Sequence, residues 1–205
     1  MKIQNKRFIY LISPAKIPDN IFFKSLELVF KSKKVSFFQL RLKNEKLSKK
    51  ILISKKIIKI CRKYGVKFLV NDDPILALKV NADGCHLGQK DMSIIKAKKI
   101  LKNKIIGVTC HNSIKLARNA LLKGADYIAL GAFYKTKTKK VIHKADVKIL
   151  KKIKKSINLP IVAIGGINEK NYKKLLLNKA DFLAISGYIW NNKKFKPHKA
   201  INKFI

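Results

Sequence analysis

The chain has 205 residues, 47% of them apolar, which is enough for one domain with a sizeable hydrophobic core and excludes global disorder. Its formal net charge is +37, which suggests a nucleic acid or another anionic surface as partner. However, 44 of its 48 basic residues are Lys, and they are spread along the whole sequence. Because base and phosphate recognition favours the planar Arg fork, whereas Lys fills solvated helix faces, we expect no specific nucleic-acid partner.

The cysteines and the apolar runs indicate the cellular compartment. Cys61, Cys85 and Cys110 are odd in number and widely spaced, so no disulfide framework is expected and a reducing compartment is favoured. No apolar run approaches the roughly 18 residues of a membrane span, and the run after Arg7 is too short for a secretory signal. We therefore expect a cytoplasmic protein with no membrane partner. The sequence does not predict the oligomeric state, so both a monomer and a homo-oligomer stay open.

Short apolar runs rich in β-branched residues alternate with longer amphipathic runs that carry many lysines. Continuous apolar runs of this length are typical of parallel strands buried on both faces. In chain order, the predicted elements are strand 8–13, strand 35–42, helix 46–64, strand 67–72, a short helix in 74–80, strand 84–89, strand 105–110, helix 112–123, strand 127–133, helix 147–157, strand 160–167, helix 170–177 and strand 182–190.

Eight strand candidates separated by helical stretches predict an α/β fold, a single (β/α)8 TIM barrel over residues 1–205. The rival is an open doubly wound sheet, which usually has five or six strands. Functional residues of such barrels lie at the C-terminal ends of the strands. Polar residues that are unusual in a core do follow the predicted strands, and they end strands two to five in particular.

The acidic residues are concentrated in one part of this basic chain. Four of the eight Asp lie between positions 72 and 91, and Asp72 and Asp91 close successive predicted strands. Mg²⁺ takes one or two protein carboxylates and completes its octahedron with water and substrate phosphates, so these two residues are candidate metal ligands. Asp73 precedes Pro74 and is better explained as a helix N-cap.

Two further groups of residues predict anion binding. Gly165-Gly166 and Ser186-Gly187 follow strands seven and eight, where barrels often bind phosphate through backbone N–H groups. Arg41 with Lys43, and the loop containing Thr136, Thr138 and Lys139, resemble anion clamps, although composition alone explains the lysines of that loop equally well. Two anionic sites imply two phosphorylated substrates, or one substrate with phosphates at both ends.

The remaining histidines and cysteines suggest no acid–base machinery. A strand histidine such as His86 is more often a hydrogen-bonded core residue than a catalytic base. Cys110 and His111 are adjacent on one strand and point to opposite faces, which excludes a nucleophile–base pair. Cys61 and Cys85 are interpreted as core residues.

Several segments together match one known family in order and spacing. They are FQLRLK (38–43), VNDD (70–73), ADGCHLGQKD (82–91), IGVTCH (106–111), GADY (124–127) leading to TKTK (136–139), and AIGGI (163–167). On these segments the chain resembles thiamine phosphate synthase over nearly its whole length, a family that has thiazole tautomerase relatives.

The resemblance implies a (β/α)8 barrel that joins hydroxymethylpyrimidine diphosphate to a thiazole phosphate and releases diphosphate. Assisted by Mg²⁺ on Asp72 and Asp91, the diphosphate would leave first, and the thiazole nitrogen would capture the resulting pyrimidine carbocation. The implied contacts to diphosphate and pyrimidine are Gln39, Arg41, Lys43, Asn71 and Lys139. Thr109 is a further substrate-binding candidate, and Arg41, Thr109 and Lys139 are the catalytic candidates. The implied contacts to the thiazole phosphate are Thr136 and Thr138, with backbone at Gly166, Ile185 and Ser186.

Two other functions remain open at this point. A thiazole tautomerase on the same barrel would need a positioned acid or base, but neither a diphosphate clamp nor a metal. A non-catalytic anion or RNA binder would use the +37 charge alone.

Overall fold

The computed structural model describes residues 7–18, 20–136 and 143–205. Among these residues, eight parallel strands pair in sequence order, and the last strand pairs with the first. The strands are β1 (Ile9–Ile12), β2 (Val35–Leu40), β3 (Lys67–Asn71), β4 (Gly84–Leu87), β5 (Ile105–His111), β6 (Tyr127–Gly131), β7 (Ile161–Ile164) and β8 (Phe182–Ile185). The sheet is thus a closed barrel, and the predicted TIM barrel is confirmed.

Helices follow the strands and form the outer layer of the barrel. They are α1 (Asn20–Phe30), α2 (Leu47–Tyr64), α3 (Pro74–Lys79), α4 (Ile94–Leu101), α5 (Ile114–Leu122), α6 (Lys148–Lys154), α7 (Tyr172–Leu177), α8 (Gly187–Trp190) and α9 (Pro197–Ile201). The third βα unit has the short helix that the sequence predicted. Within the described ranges, no helix is both long and apolar enough to cross a membrane.

The largest error in the predicted elements lies at the end of the barrel. The predicted strand 182–190 stops at Ile185, and its second half is the one-turn helix α8. Ile189 is buried, and the Trp190 indole N–H donates to the Ile12 carbonyl at 2.7 Å. The aromatic and β-branched residues Tyr188, Ile189 and Trp190 are common in strands, so the composition of this short run does not distinguish strand from helix.

The strands separate two hydrophobic layers because successive side chains point to opposite faces. Ile9 and Leu11 of β1 pack outward among the helices, whereas Tyr10 and Ile12 point into the barrel. Cys61, Cys85 and Cys110 are buried free thiols in the outer layer, as predicted for the first two. Burial raises the pKa of all three thiols, which therefore stay protonated and unreactive at neutral pH.

The barrel interior is tightly filled where β5 and β6 meet. Gly107 pairs with Tyr127, and a methyl group on Gly107 would lie 1.8 Å from Cζ of the Tyr127 ring. We expect Gly107→Ala to lower the free energy of unfolding by about 1–3 kcal/mol, since overpacking displaces the ring. Denaturant titration checks this. In a Tyr127→Leu background the same change should cost clearly less, and an equal cost in both backgrounds would contradict the packing argument.

Candidate active site

Two carboxylates meet at the C-terminal ends of β3 and β4. Asp72 directly follows β3, and its backbone N–H donates to the His86 carbonyl of β4 at 2.7 Å. Asp91 lies in the loop after β4, where its carboxylate accepts the Gly88 N–H at 2.7 Å. The Asp72 and Asp91 carboxyl groups lie within hydrogen-bonding reach of each other, and Lys43 Nζ lies 3.0 Å from Asp72 Oδ2. The predicted convergence of these acids is present in the structure.

The pKa values of the two acids move in opposite directions. Burial raises the pKa of Asp72, but the hydrogen bond from Asp91 and the Lys43 ammonium outweigh burial and lower it overall. Burial raises the pKa of Asp91, and the neighbouring Asp72 carboxylate raises it further. The two carboxyl groups are therefore electrostatically coupled, as expected for like charges in contact.

A divalent cation fits this donor set. Two carboxylates that face each other repel, and a hard cation between them would relieve that repulsion. In the part of the chain that the structure describes, no group of three or more His, Cys, Asp or Glu side chains is arranged for metal binding. Mg²⁺ held here would thus rely on Asp72 and Asp91, with water and substrate phosphates as its other ligands.

The backbone of Asp72 adopts an uncommon conformation. Asp72 has a φ of 65°, in the left-handed region that few residues other than glycine adopt. Such conformations cost free energy and collect at functional sites. Asp73 next to it caps α3, with its carboxylate accepting the Leu76 N–H at 2.9 Å, so its predicted structural role is confirmed. Lys43, Asn71 and Asp72 line a cavity of about 280 Å³ beside this cap.

Arg41 follows β2 at the same end of the barrel. Its backbone N–H donates to Ser13 Oγ at 2.9 Å, and the Ser13 carbonyl accepts the Ser186 hydroxyl at 3.1 Å. Ser13 thereby ties together the loops after β1, β2 and β8. Arg41 is half-buried, and its guanidinium makes no hydrogen bond or ion pair with the residues described, so its donors remain available to an anion.

A chain of hydrogen bonds runs across the barrel interior beneath these groups. Gln39 Nε2 lies 2.9 Å from the Tyr10 hydroxyl, which lies 2.8 Å from the Tyr127 hydroxyl. The Tyr127 hydroxyl is 2.8 Å from His86 Nδ1, and His86 Nε2 is 2.9 Å from Thr109 Oγ1. Burial lowers the pKa of His86 to about 4, so the ring is neutral. His86 is the hydrogen-bonded core residue that the sequence predicted.

The second candidate anion site is the turn after β7. Gly165 and Gly166 have φ values of 109° and 63°, which explains why glycine occupies both positions. A methyl group on Gly166 would lie 2.3 Å from the Lys135 carbonyl oxygen, so the turn packs closely against the loop that follows β6. The Gly-Gly turn and the loop that leads to Thr136 are thereby brought together, next to Ile185 and Ser186 at the end of β8.

Comparison with known proteins decides the family. The family model described as thiamine monophosphate synthase matches residues 9–189. The chain belongs to this family. It is 70% identical to the thiamine-phosphate synthase of Pelagibacter ubique (strain HTCC1062) over 97% of this chain and 96% of that protein. It is 38% identical to the Clostridium acetobutylicum synthase over 92% of this chain and 89% of that one.

A solved structure of the same family agrees with the fold. The thiamine phosphate pyrophosphorylase from Pyrococcus furiosus superposes with a TM-score of 0.84 at 32% identity, covering 99% of this chain and 96% of that one. The predicted thiamine phosphate synthase function, a transferase activity on small phosphorylated molecules, is confirmed by these relatives. The tautomerase and RNA-binding alternatives are not favoured.

The structure brings most of the predicted site residues to one end of the barrel, but not all of them are described. Arg41, Lys43, Asn71, Asp72, Asp91, Thr136, Gly166, Ile185 and Ser186 lie at or beyond strand ends there, and Gln39 and Thr109 lie within the last three residues of β2 and β5. Thr138 and Lys139 lie outside the described residues. Sequence reasoning missed Ser13, Tyr10 and Tyr127. A buried Ser-Pro directly after a strand was a usable signal for Ser13, whereas inward tyrosines read as ordinary core.

Proposed function

We propose that this site joins 4-amino-2-methyl-5-hydroxymethylpyrimidine diphosphate to hydroxyethylthiazole phosphate, with Mg²⁺ held by Asp72 and Asp91. The observation that carries the proposal is the pairing of those two carboxylates beside Lys43, in a chain with so few acidic residues. When bound, Mg²⁺ would offset the negative charge of the diphosphate. A cytoplasmic location and the absence of a specific nucleic-acid partner remain predictions.

In the proposed reaction the bond between the pyrimidine methylene carbon and the diphosphate oxygen breaks first. The diphosphate leaves with the bonding electron pair, and the methylene becomes a carbocation. The lone pair of the thiazole nitrogen then forms the new carbon–nitrogen bond. No proton needs to be removed, which agrees with a site where both ring nitrogens of the neutral His86 are already hydrogen-bonded.

The chain would contribute charge and alignment to this reaction. Arg41 and Lys43 would hold the diphosphate, with Lys139 proposed as a third cation from the loop after β6. Gln39, Asn71 and Thr109 would orient the pyrimidine ring above the barrel. In the second anion site, the proposed contacts to the thiazole phosphate are the hydroxyls of Thr136 and Thr138 and the backbone at Gly166, Ile185 and Ser186.

Turnover with both phosphorylated substrates tests this function. We expect diphosphate and thiamine phosphate to appear in equal amounts with Mg²⁺, and coupling to stop with a chelator and resume when Mg²⁺ is added back. The pyrimidine diphosphate alone should release diphosphate only by slow hydrolysis. Metal-independent isomerisation of the thiazole without any coupled product would instead indicate a tautomerase.

A further inference from the structure

The hydrogen-bonded chain in the barrel interior connects two residues of the proposed pyrimidine site. It begins at Gln39 on β2 and ends at Thr109 on β5, and three buried side chains from β1, β6 and β4 lie between them: Tyr10, Tyr127 and His86. All five positions face inward, where an apolar side chain would fill the barrel without the cost of burying polar groups. The polar side chains therefore call for an explanation beyond packing.

The direction of this chain follows from its first donor. Gln39 Nε2 belongs to an amide group and only donates, so the Tyr10 oxygen accepts. Each hydroxyl has a single proton, hence Tyr10 donates to Tyr127, and Tyr127 donates to His86 Nδ1. With the Gln39 amide in this orientation, any other arrangement leaves a buried hydroxyl proton without an acceptor, which is costly.

The other end of the chain is then fixed as well. A neutral imidazole that accepts at Nδ1 carries its proton on Nε2, so His86 donates to Thr109 Oγ1. Thr109 therefore keeps its own hydroxyl proton to donate elsewhere. At the opposite end, Gln39 Oε1 makes no hydrogen bond with the residues described and is left to accept one.

We infer that Tyr10, Tyr127 and His86 are positioning residues that set the polarity of the pyrimidine site, a role that rests on the proposed function. A donating Thr109 hydroxyl complements a ring nitrogen, and an accepting Gln39 oxygen complements an exocyclic amine. A 4-aminopyrimidine offers this pattern. The 4-oxo analogue reverses it, because its oxo group would face the Gln39 oxygen and its ring N–H would compete with the Thr109 proton. The chain thus selects amino over oxo pyrimidines.

Discrimination between the two pyrimidine diphosphates tests the inference. We expect the wild-type chain to prefer the 4-amino substrate over its 4-oxo analogue by ~10³-fold or more in kcat/KM, as a site of fixed hydrogen-bond polarity does. Tyr127→Phe and Tyr10→Phe each remove one hydroxyl and keep the ring. Each should reduce that preference by about 5- to 150-fold, the equivalent of one misdirected buried hydrogen bond. The KM for the thiazole phosphate should not change.

Tyr172→Phe is the matched control. Tyr172 is equally buried, but it lies in the outer hydrophobic layer, and its hydroxyl bonds the backbone of Ile205 rather than the chain of hydrogen bonds. This variant should lose stability and keep the full amino-over-oxo preference. A folded Tyr127→Phe protein with unchanged preference, or a Tyr172→Phe protein with the same loss as Tyr127→Phe, would overturn the positioning role.

A second measurement needs no substrate and separates this inference from the proposed function. Imidazole ¹⁵N NMR of the wild-type chain should show His86 protonated at Nε2 and unprotonated at Nδ1, and Tyr127→Phe should disturb that tautomer. A proton on Nδ1 in the wild-type chain would reverse the direction of the bonds and refute the inference. A wild-type chain that couples neither pyrimidine overturns the proposed function and the substrate assignment with it, while the tautomer still decides the direction.

Discussion

Asp72→Asn and Asp91→Asn are each expected to lower turnover by ~10²-fold or more, with little change in the free energy of unfolding. Each substitution removes one of the two carboxylates that meet at the ends of β3 and β4. The amide keeps the size of the side chain but loses the charge that a hard cation requires. Relief of the repulsion between the two acids offsets part of any lost stabilisation.

The metal dependence of these variants separates a ligand from a merely structural acid. We expect the Mg²⁺ concentration for half-maximal rate to rise strongly in both variants. Asp126→Asn is a suitable control, because Asp126 precedes β6 at the opposite end of the barrel and accepts the Ile106 N–H at 2.7 Å. It should leave the Mg²⁺ requirement unchanged. Near wild-type turnover of Asp72→Asn or Asp91→Asn at limiting Mg²⁺ would refute the metal assignment.

The barrel was predictable because its strands are buried on both faces and therefore read as continuous apolar runs. The ends of the individual strands were less predictable. The predicted strands 35–42 and 127–133 extend two residues beyond β2 and β6, where the polar mouth of the barrel begins. The run 182–190 crosses from strand into helix at Ser186-Gly187, the small residues expected to follow strand eight, but the aromatic and β-branched residues after them still resemble a strand.

The candidate site was predictable to the extent that its residues contrast with their surroundings. Asp72 and Asp91 stood out against a lysine-rich background, and their contact follows from the adjacency of β3 and β4. Tyr10 and Tyr127 gave no such signal, since an inward tyrosine fits an apolar pattern. Their hydroxyls meet across 117 positions of sequence, and only the closed barrel brings them together.

The same contrast singles out Arg41 among only four arginines, and its replacement carries the second large expected effect. Arg41→Ala should lower kcat/KM for the pyrimidine diphosphate by roughly 10²-fold or more, because a bidentate, charge-assisted pair of hydrogen bonds is lost. The KM for the thiazole phosphate should change little. Arg41→Lys should restore activity only in part, since an ammonium supplies the charge without the planar fork.

Steady-state kinetics with each substrate varied in turn measures this effect. Arg118→Ala serves as the control. Arg118 is an exposed residue of α5, so its substitution removes the same charge at a position away from the site. If Arg41 acted only through the long-range field of the +37 chain, each variant would weaken the binding of both substrates. If Arg41 binds the diphosphate directly, only Arg41→Ala should weaken binding, and only that of the diphosphate substrate. Equal losses for both substrates in Arg41→Ala would mean that Arg41 supports the loops around Ser13 rather than the diphosphate.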